Sequence, residues 1–339
     1  MAYLRFLPGL ARRMISCFLL LQLCALHPAE AREPCYGTSI QLNTSNTTWS
    51  SPQWEDLFRV FQKMGFQDIV VQWSAVDRTS FEPCLQTLLD LAARYNMHVW
   101  IGLRSDSTWW ESISMSTRFV EIYLWKLMNI QMALADRIIR NHGLHMAFSG
   151  IYLPIEIDDS TWLTEDKLMA LTGVLHQFSE RITHEHPGIN IAMSGFSEGL
   201  ATPEQVAVLW RRLIVAGKLS RVYFRDSVGV RVLEPEESSL YFKALQATYP
   251  AGKTTIVAML EPFTQSSEES VRSKAFAAKP APADRLLRQV ALTKDAGMKN
   301  ISFYSALEYM SASGGEDAQK LCEAWLHEIH PDKAQEAAH

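Results

Sequence analysis

Beyond residue 35 the chain alternates short, nearly continuous apolar runs with longer stretches whose apolar residues recur at helical spacing. Ser39-Ile40-Gln41-Leu42 reads as a first strand, and Ser51-Pro52 opens a first helix, because proline suits the first helical turn. Trp54, Leu57, Phe58 and Phe61 then fall on one face, and Gly65 ends the helix. The same alternation predicts further strands at Asp68–Trp73, Met97–Leu103, Gly150–Leu153, Ile189–Ser194, Arg221–Asp226, Thr254–Leu260 and Asn300–Tyr304. Between and after them helices are predicted over Glu82–Tyr95, Thr117–Ile139, Thr164–Glu185, Pro203–Ala216, Pro235–Ala247, Ala283–Ala296 and Glu316–Ile329. Eight strand–helix units define a single (β/α)8 TIM barrel over residues 32–330, with a flexible tail at 331–339. The strands lack polar alternation, as expected when helices cover one face and the barrel interior fills the other. A doubly wound sheet needs fewer strands and usually a glycine-rich first turn, and neither is found.

The 339 residues, 47% apolar and 20% charged, suit one large globular domain. Residues 1–31 change that picture, because they read as an export signal. Arg5, Arg12 and Arg13 form a basic leader, Met14 to Leu26 is an apolar run short of a comfortable bilayer span, and Ala29-Glu30-Ala31 offers a cleavage site. Cleavage after Ala31 would send the chain to the periplasm or the medium. It removes three arginines and one glutamate, lowering the formal charge from −5 to −7. An acidic chain without basic clusters excludes nucleic acid and strongly anionic polymers as ligands.

Cys35, Cys84 and Cys322 remain after cleavage. A closed barrel brings the chain ends together, so a 35–322 disulfide is expected, with Cys84 left as a small buried hydrophobe. The cysteine spacings fit no zinc site, and Asp158, Asp159 and Asp226 lack calcium-loop spacing. Neither metal nor cofactor is expected. No nucleophile elbow and no HExxH occurs, which removes the serine and metal hydrolase classes.

The candidate chemistry lies at two strand ends. Strand four runs out at Pro154, which has no N–H for a ladder bond, and Glu156 should stand just beyond it. Strand seven ends in Leu260-Glu261-Pro262, where the residue before proline is held extended. A barrel sends the C-terminal ends of all its strands to one mouth. Two carboxyl groups there can protonate a glycosidic oxygen and stabilise or capture the oxocarbenium-like centre, the requirement of a two-carboxylate glycosidase.

The order of these acids, one on strand four and one on strand seven, resembles the retaining β-glycosidase clan. More closely, the chain resembles an uncharacterised bacterial family of glycosidase-type barrels. The matching stretches are Val71-Gln72-Trp73, Ile101-Gly102-Leu103, Phe148 to Asp159, Asp226 to Val230 and Glu261-Pro262-Phe263. The resemblance implies Glu156 as general acid/base and Glu261 as nucleophile. Ile155 stands where the β-glycosidase clan usually carries Asn, and the spaced aspartates of chitinase-type barrels are missing before Glu156. The second departure disfavours a substrate-assisted mechanism.

Burial and a neighbouring negative charge are expected to raise the proton affinity of Glu156. Asn43, Gln72, Trp73, Arg104, Trp109, Asp158, Asp226 and Tyr304 complete the expected substrate-binding set, with Trp110 as a further sugar platform. Asp226 is also a rival to Glu261 as partner of Glu156, on α-linked amino sugars. The reading is an exported monomer that hydrolyses a polysaccharide. Its rival is a barrel that binds polysaccharide without cutting it and serves a synthesis or export machine.

Overall fold

The computed structural model describes residues 34–249, 252–267 and 276–331. The expected leader and all but the first residue of the expected tail lie outside this set. Eight parallel strands close into a barrel: β1 Cys35–Ile40, β2 Phe66–Val71, β3 His98–Gly102, β4 Phe148–Ile157, β5 Ile191–Gly195, β6 Arg221–Arg225, β7 Thr255–Leu260 and β8 Asn300–Phe303. Each pairs with its neighbours in sequence order, and β8 returns to β1. The helices that follow them are α1 Ser51–Lys63, α2 Leu85–Arg94, α3 Thr117–His142, α4 Glu165–Glu185, α5 Pro203–Gly217, α6 Pro235–Thr248, α7 Ala283–Asp295 and α8 Glu316–Ile329. The single (β/α)8 barrel read from the sequence is the observed fold.

The helix starts follow local chemistry. Before α1, α5 and α6, the side chains of Gln53, Gln205 and Glu237 accept the N–H of Ser50, Thr202 and Glu234, the return half of a capping box. A proline sits in the first turn of all three. Gly65 ends α1 at φ +76°, a left-handed conformation that costs glycine little.

Alternation along the strands sorts side chains between two cores. Ile69, Val71, Val99, Ile101, Ile151, Leu153, Val222, Phe224, Ile256 and Ala258 pack outward into the layer shared with the helices. Their neighbours Val70, Trp100, Tyr152, Ala192, Tyr223, Val257 and Met259 form a separate cluster, the filling of the barrel. One step toward the N-terminal ends, Asp68 and Arg221 plug the interior. Their charges meet at 2.6 Å, and Asp68 also accepts from the Tyr223 hydroxyl and the Trp100 indole.

Two expectations change here. β4 does not stop at Pro154. Its register to β5 jumps from Leu153↔Met193 to Glu156↔Ser194, so Pro154 and Ile155 form a bulge and pairing resumes to Ile157. Glu156 therefore sits inside a strand rather than beyond one. The 35–322 disulfide is absent, and all three cysteines are free. Cys35 opens a barrel strand with its thiol toward Gln67, whereas Cys322 is buried on α8 in the outer layer. Neighbouring chain ends did not make neighbouring thiols.

Candidate active site

One step toward the C-terminal ends, interior alternation places Gln72, Ser194, Arg225 and Glu261, each two residues beyond a filling residue. The bulge in β4 adds Glu156 to this layer. A cleft of about 230 Å³ opens above it, walled by Trp73, Trp109 and Trp110 and floored by Gln72, Tyr152, Glu156 and Tyr304, with Ser105, Asp106 and Ser107 at its edge. Two larger grooves, of about 340 and 530 Å³, lie on the outer surface between α4 and α5. The first is lined by aliphatic side chains and the Arg212–Glu165 ion pair, the second by the Lys218–Glu180 pair with His176 and Arg211, and neither holds a strand-end residue of the barrel mouth.

Arg225 organises the floor. It is 4% exposed, its Nη2 lies 3.2 Å from Glu156 Oε1, and its guanidinium stacks over the rings of Phe196 at 4.6 Å and Tyr304 at 5.1 Å. The negative charges of both Glu156 and Glu261 act on it and raise its proton affinity against the opposing effect of burial. Tyr304 closes the floor: its hydroxyl accepts from Gln41 at 2.6 Å and from Gln72 at 3.2 Å. Burial and the charge of Glu156 keep that phenol protonated. The peptide bond that follows Tyr304 is cis.

The two predicted acids differ sharply in access. Glu156 lines the cleft with its side chain 20% exposed. Its charged neighbour is the Arg225 cation, not the negative charge expected for it. Glu261 is 1% exposed and does not line the cleft. Its Oε2 accepts from the Val230 N–H at 3.0 Å, and the Gly229 backbone also favours its charged form. The proton affinity of Glu261 is raised, through burial and then the charge of Asp226. Asp226 is itself raised by burial, although hydrogen bonds from Gln289, Val228 and the Glu261 N–H oppose the shift. Burial of both groups and the charge of one on the other make the Asp226–Glu261 pair take up a proton more readily than an ordinary carboxylate.

Of the remaining predicted residues, Gln72, Trp73, Trp109 and Tyr304 meet in the cleft. Trp73 is fixed by its indole N–H to the Leu42 carbonyl at 2.7 Å, and Trp109 stacks on the fully buried Trp162. Asn43, Arg104, Asp158 and Asp226 do not line it. Asn43 is exposed and folds the β1–α1 loop through the Ser45 and Asn46 N–H groups. The Arg104 backbone is clamped by Gln131 of α3. Asp158 is fully buried and accepts from Ser160 and Thr161 in a tight turn, while Asp159 holds the β5–α5 loop through Ser197, Glu198, Leu200 and Ala201. Arg225 and Asp106 were not read from the sequence. The alternation Arg221, Tyr223, Arg225 carried the signal for the first; a loop position offered none for the second.

A carboxylate and three indoles thus surround a cleft at the C-terminal strand ends of a closed (β/α)8 barrel. Solved structures agree on the fold. A Bacteroides thetaiotaomicron protein provisionally assigned as an alpha-L-fucosidase superposes with a TM-score of 0.68 at 14% identity, covering 88% of this chain and 94% of that one. The GH99 endo-alpha-mannosidase of the same genus and species gives 0.52 at 13% identity, over 89% and 98%. In sequence, the chain is 24% identical over 268 residues to the uncharacterized protein YbcH of Escherichia coli (strain K12), covering 78% of this chain and 86% of that protein. The family described as "Domain of unknown function (DUF4434)" matches residues 35–315, and the chain belongs to that family.

Proposed function

We propose that the protein hydrolyses glycosidic bonds in a polysaccharide, with Glu156 as the acid/base at the cleft and Glu261 as the partner carboxylate. One observation carries this reading: Glu156 lines an indole-walled cleft and shares the Arg225 cation with Glu261. Protonation of the leaving oxygen by Glu156 and stabilisation of the developing positive centre by a second carboxylate would proceed with retention if Glu261 reaches the anomeric carbon. The fold of the glycoside hydrolase neighbours supports the same class. A leader of the composition found at residues 1–31 would place the enzyme in the periplasm or outside the cell, acting as a monomer.

The burial of Glu261 favours a second reading, a barrel that binds polysaccharide for a synthesis or export machine and does not cut it. Incubation with a panel of exopolysaccharides separates the two. Release of reducing ends should fall by about 10²–10⁴-fold in Glu156→Gln while binding persists. Full activity in that variant would end the assignment of Glu156, and binding without product from the native protein would establish the second reading.

A further inference from the structure

Among the described residues, the ionic groups that line the cleft carry one sign of charge. Asp106 and Glu156 both face it, and among the described residues that line it there is no Lys, Arg or His. Arg225 lies below the floor, and its charge is met by Glu156. Among the described residues no cation pairs with Asp106. Its Oδ1 accepts from the backbone N–H of Thr108 at 2.9 Å and from the Thr108 hydroxyl at 2.7 Å. These bonds fix the carboxylate at the cleft edge without neutralising it. The Tyr123 hydroxyl beside it stays protonated, through burial and the charge of Asp106. Trp109 and Trp110 begin the short helix that follows Asp106 and wall the same cleft.

We propose that the cleft selects a sugar bearing a free ammonium group, a hexosamine without its N-acetyl cap, and that Asp106 binds that ammonium. The proposal rests on the carbohydrate reading of the cleft, which the hydrolytic and the binding alternatives share. An ammonium donates charge-assisted hydrogen bonds to an ionised carboxylate and is attracted to indole faces. An N-acetyl group offers neither the charge nor three donors. A uronate would bring its negative charge beside the carboxylate of Asp106, which like-charge repulsion disfavours.

Calorimetric titration of the full chain decides the matter with three oligosaccharides of equal length: free-amine chito-oligosaccharide, its N-acetylated counterpart and oligogalacturonate. At mildly acidic pH the free-amine ligand should bind about tenfold more tightly than the N-acetylated one. The preference should weaken with added salt. Asp106→Asn should bring the two affinities within about twofold of each other, and Asp106→Glu should restore the gap. Asp106→Ser removes the charge by a different route and decides the case should Asp106→Asn not fold. Equal binding of the N-acetylated ligand, no binding of the free-amine ligand, or an undiminished preference in Asp106→Asn would overturn the proposal. Hydrolysis of neutral glycosides by the same preparation would then leave the glycosidase reading standing.

Discussion

Replacement of Arg225 by methionine tests whether a buried cation organises the barrel mouth. Its side chain is 5% exposed and pairs with Glu156 at 3.2 Å, and its guanidinium covers two aromatic rings. Methionine fills much of the same space, so little cavity energy enters and the charge dominates. Removing one partner of a buried ion pair costs about 3–5 kcal/mol, because the other charge is left uncompensated. Glu156 keeps 20% exposure, so water can reach it and the lower end of that range applies. Loss of the ring contacts adds about 0.5–2 kcal/mol, part of which the methionine sulfur recovers. The expected destabilisation is about 3 kcal/mol, read as a lower urea midpoint at unchanged slope. Adding Glu156→Gln to Arg225→Met should return part of the loss, with a coupling of about 1–3 kcal/mol in the double-mutant cycle. A loss below about 1 kcal/mol, or strict additivity, would refute the argument that the pair holds the mouth together.

Two further outcomes follow from the sealed acids. Glu261 and Asp226 bind protons more tightly folded than unfolded, so their contribution is fully present below the ordinary carboxylate range of about pH 4 and is lost as pH rises toward neutrality. Urea midpoints across that interval should fall less steeply in Glu261→Gln than in the native protein; parallel curves would contradict the raised affinity. At Gly229, an added Cβ would lie 2.6 Å from both Glu261 Cβ and the Phe263 carbonyl oxygen. Gly229→Ala should cost about 1–3 kcal/mol by overpacking and displace Glu261, and an unchanged urea midpoint would show that the loop yields freely.

The sequence went furthest where a local rule was enough. Apolar runs bounded by prolines, glycines and capping residues identify eight strands and eight helices, because burial on both sheet faces demands continuous apolar strands and local hydrogen-bond chemistry starts the helices. The boundaries moved by a few residues, and the break expected at Pro154 became a bulge, since neighbouring strands supplied partners on both sides of it. Gln72, Trp73, Trp109, Glu156 and Tyr304 were legible as residues at or beyond strand ends, a position that in a barrel means the mouth. Asp158 looked equally well placed, yet its oxygens are consumed by its own turn.

Closure of the barrel decided what no segment contains. Interior alternation says that Arg225 and Glu261 point inward, but only the packed structure shows one beneath Glu156 and the other sealed by the Gly229-Val230 backbone. Depth sets the solvation of a charge, and depth depends on which loops fold over a strand end. The chain by itself thus determined the kind of fold and which strand ends face its mouth. Tertiary packing determined which carboxylates meet solvent, which keep a proton and which cation stands between them, because each depends on neighbours remote in sequence.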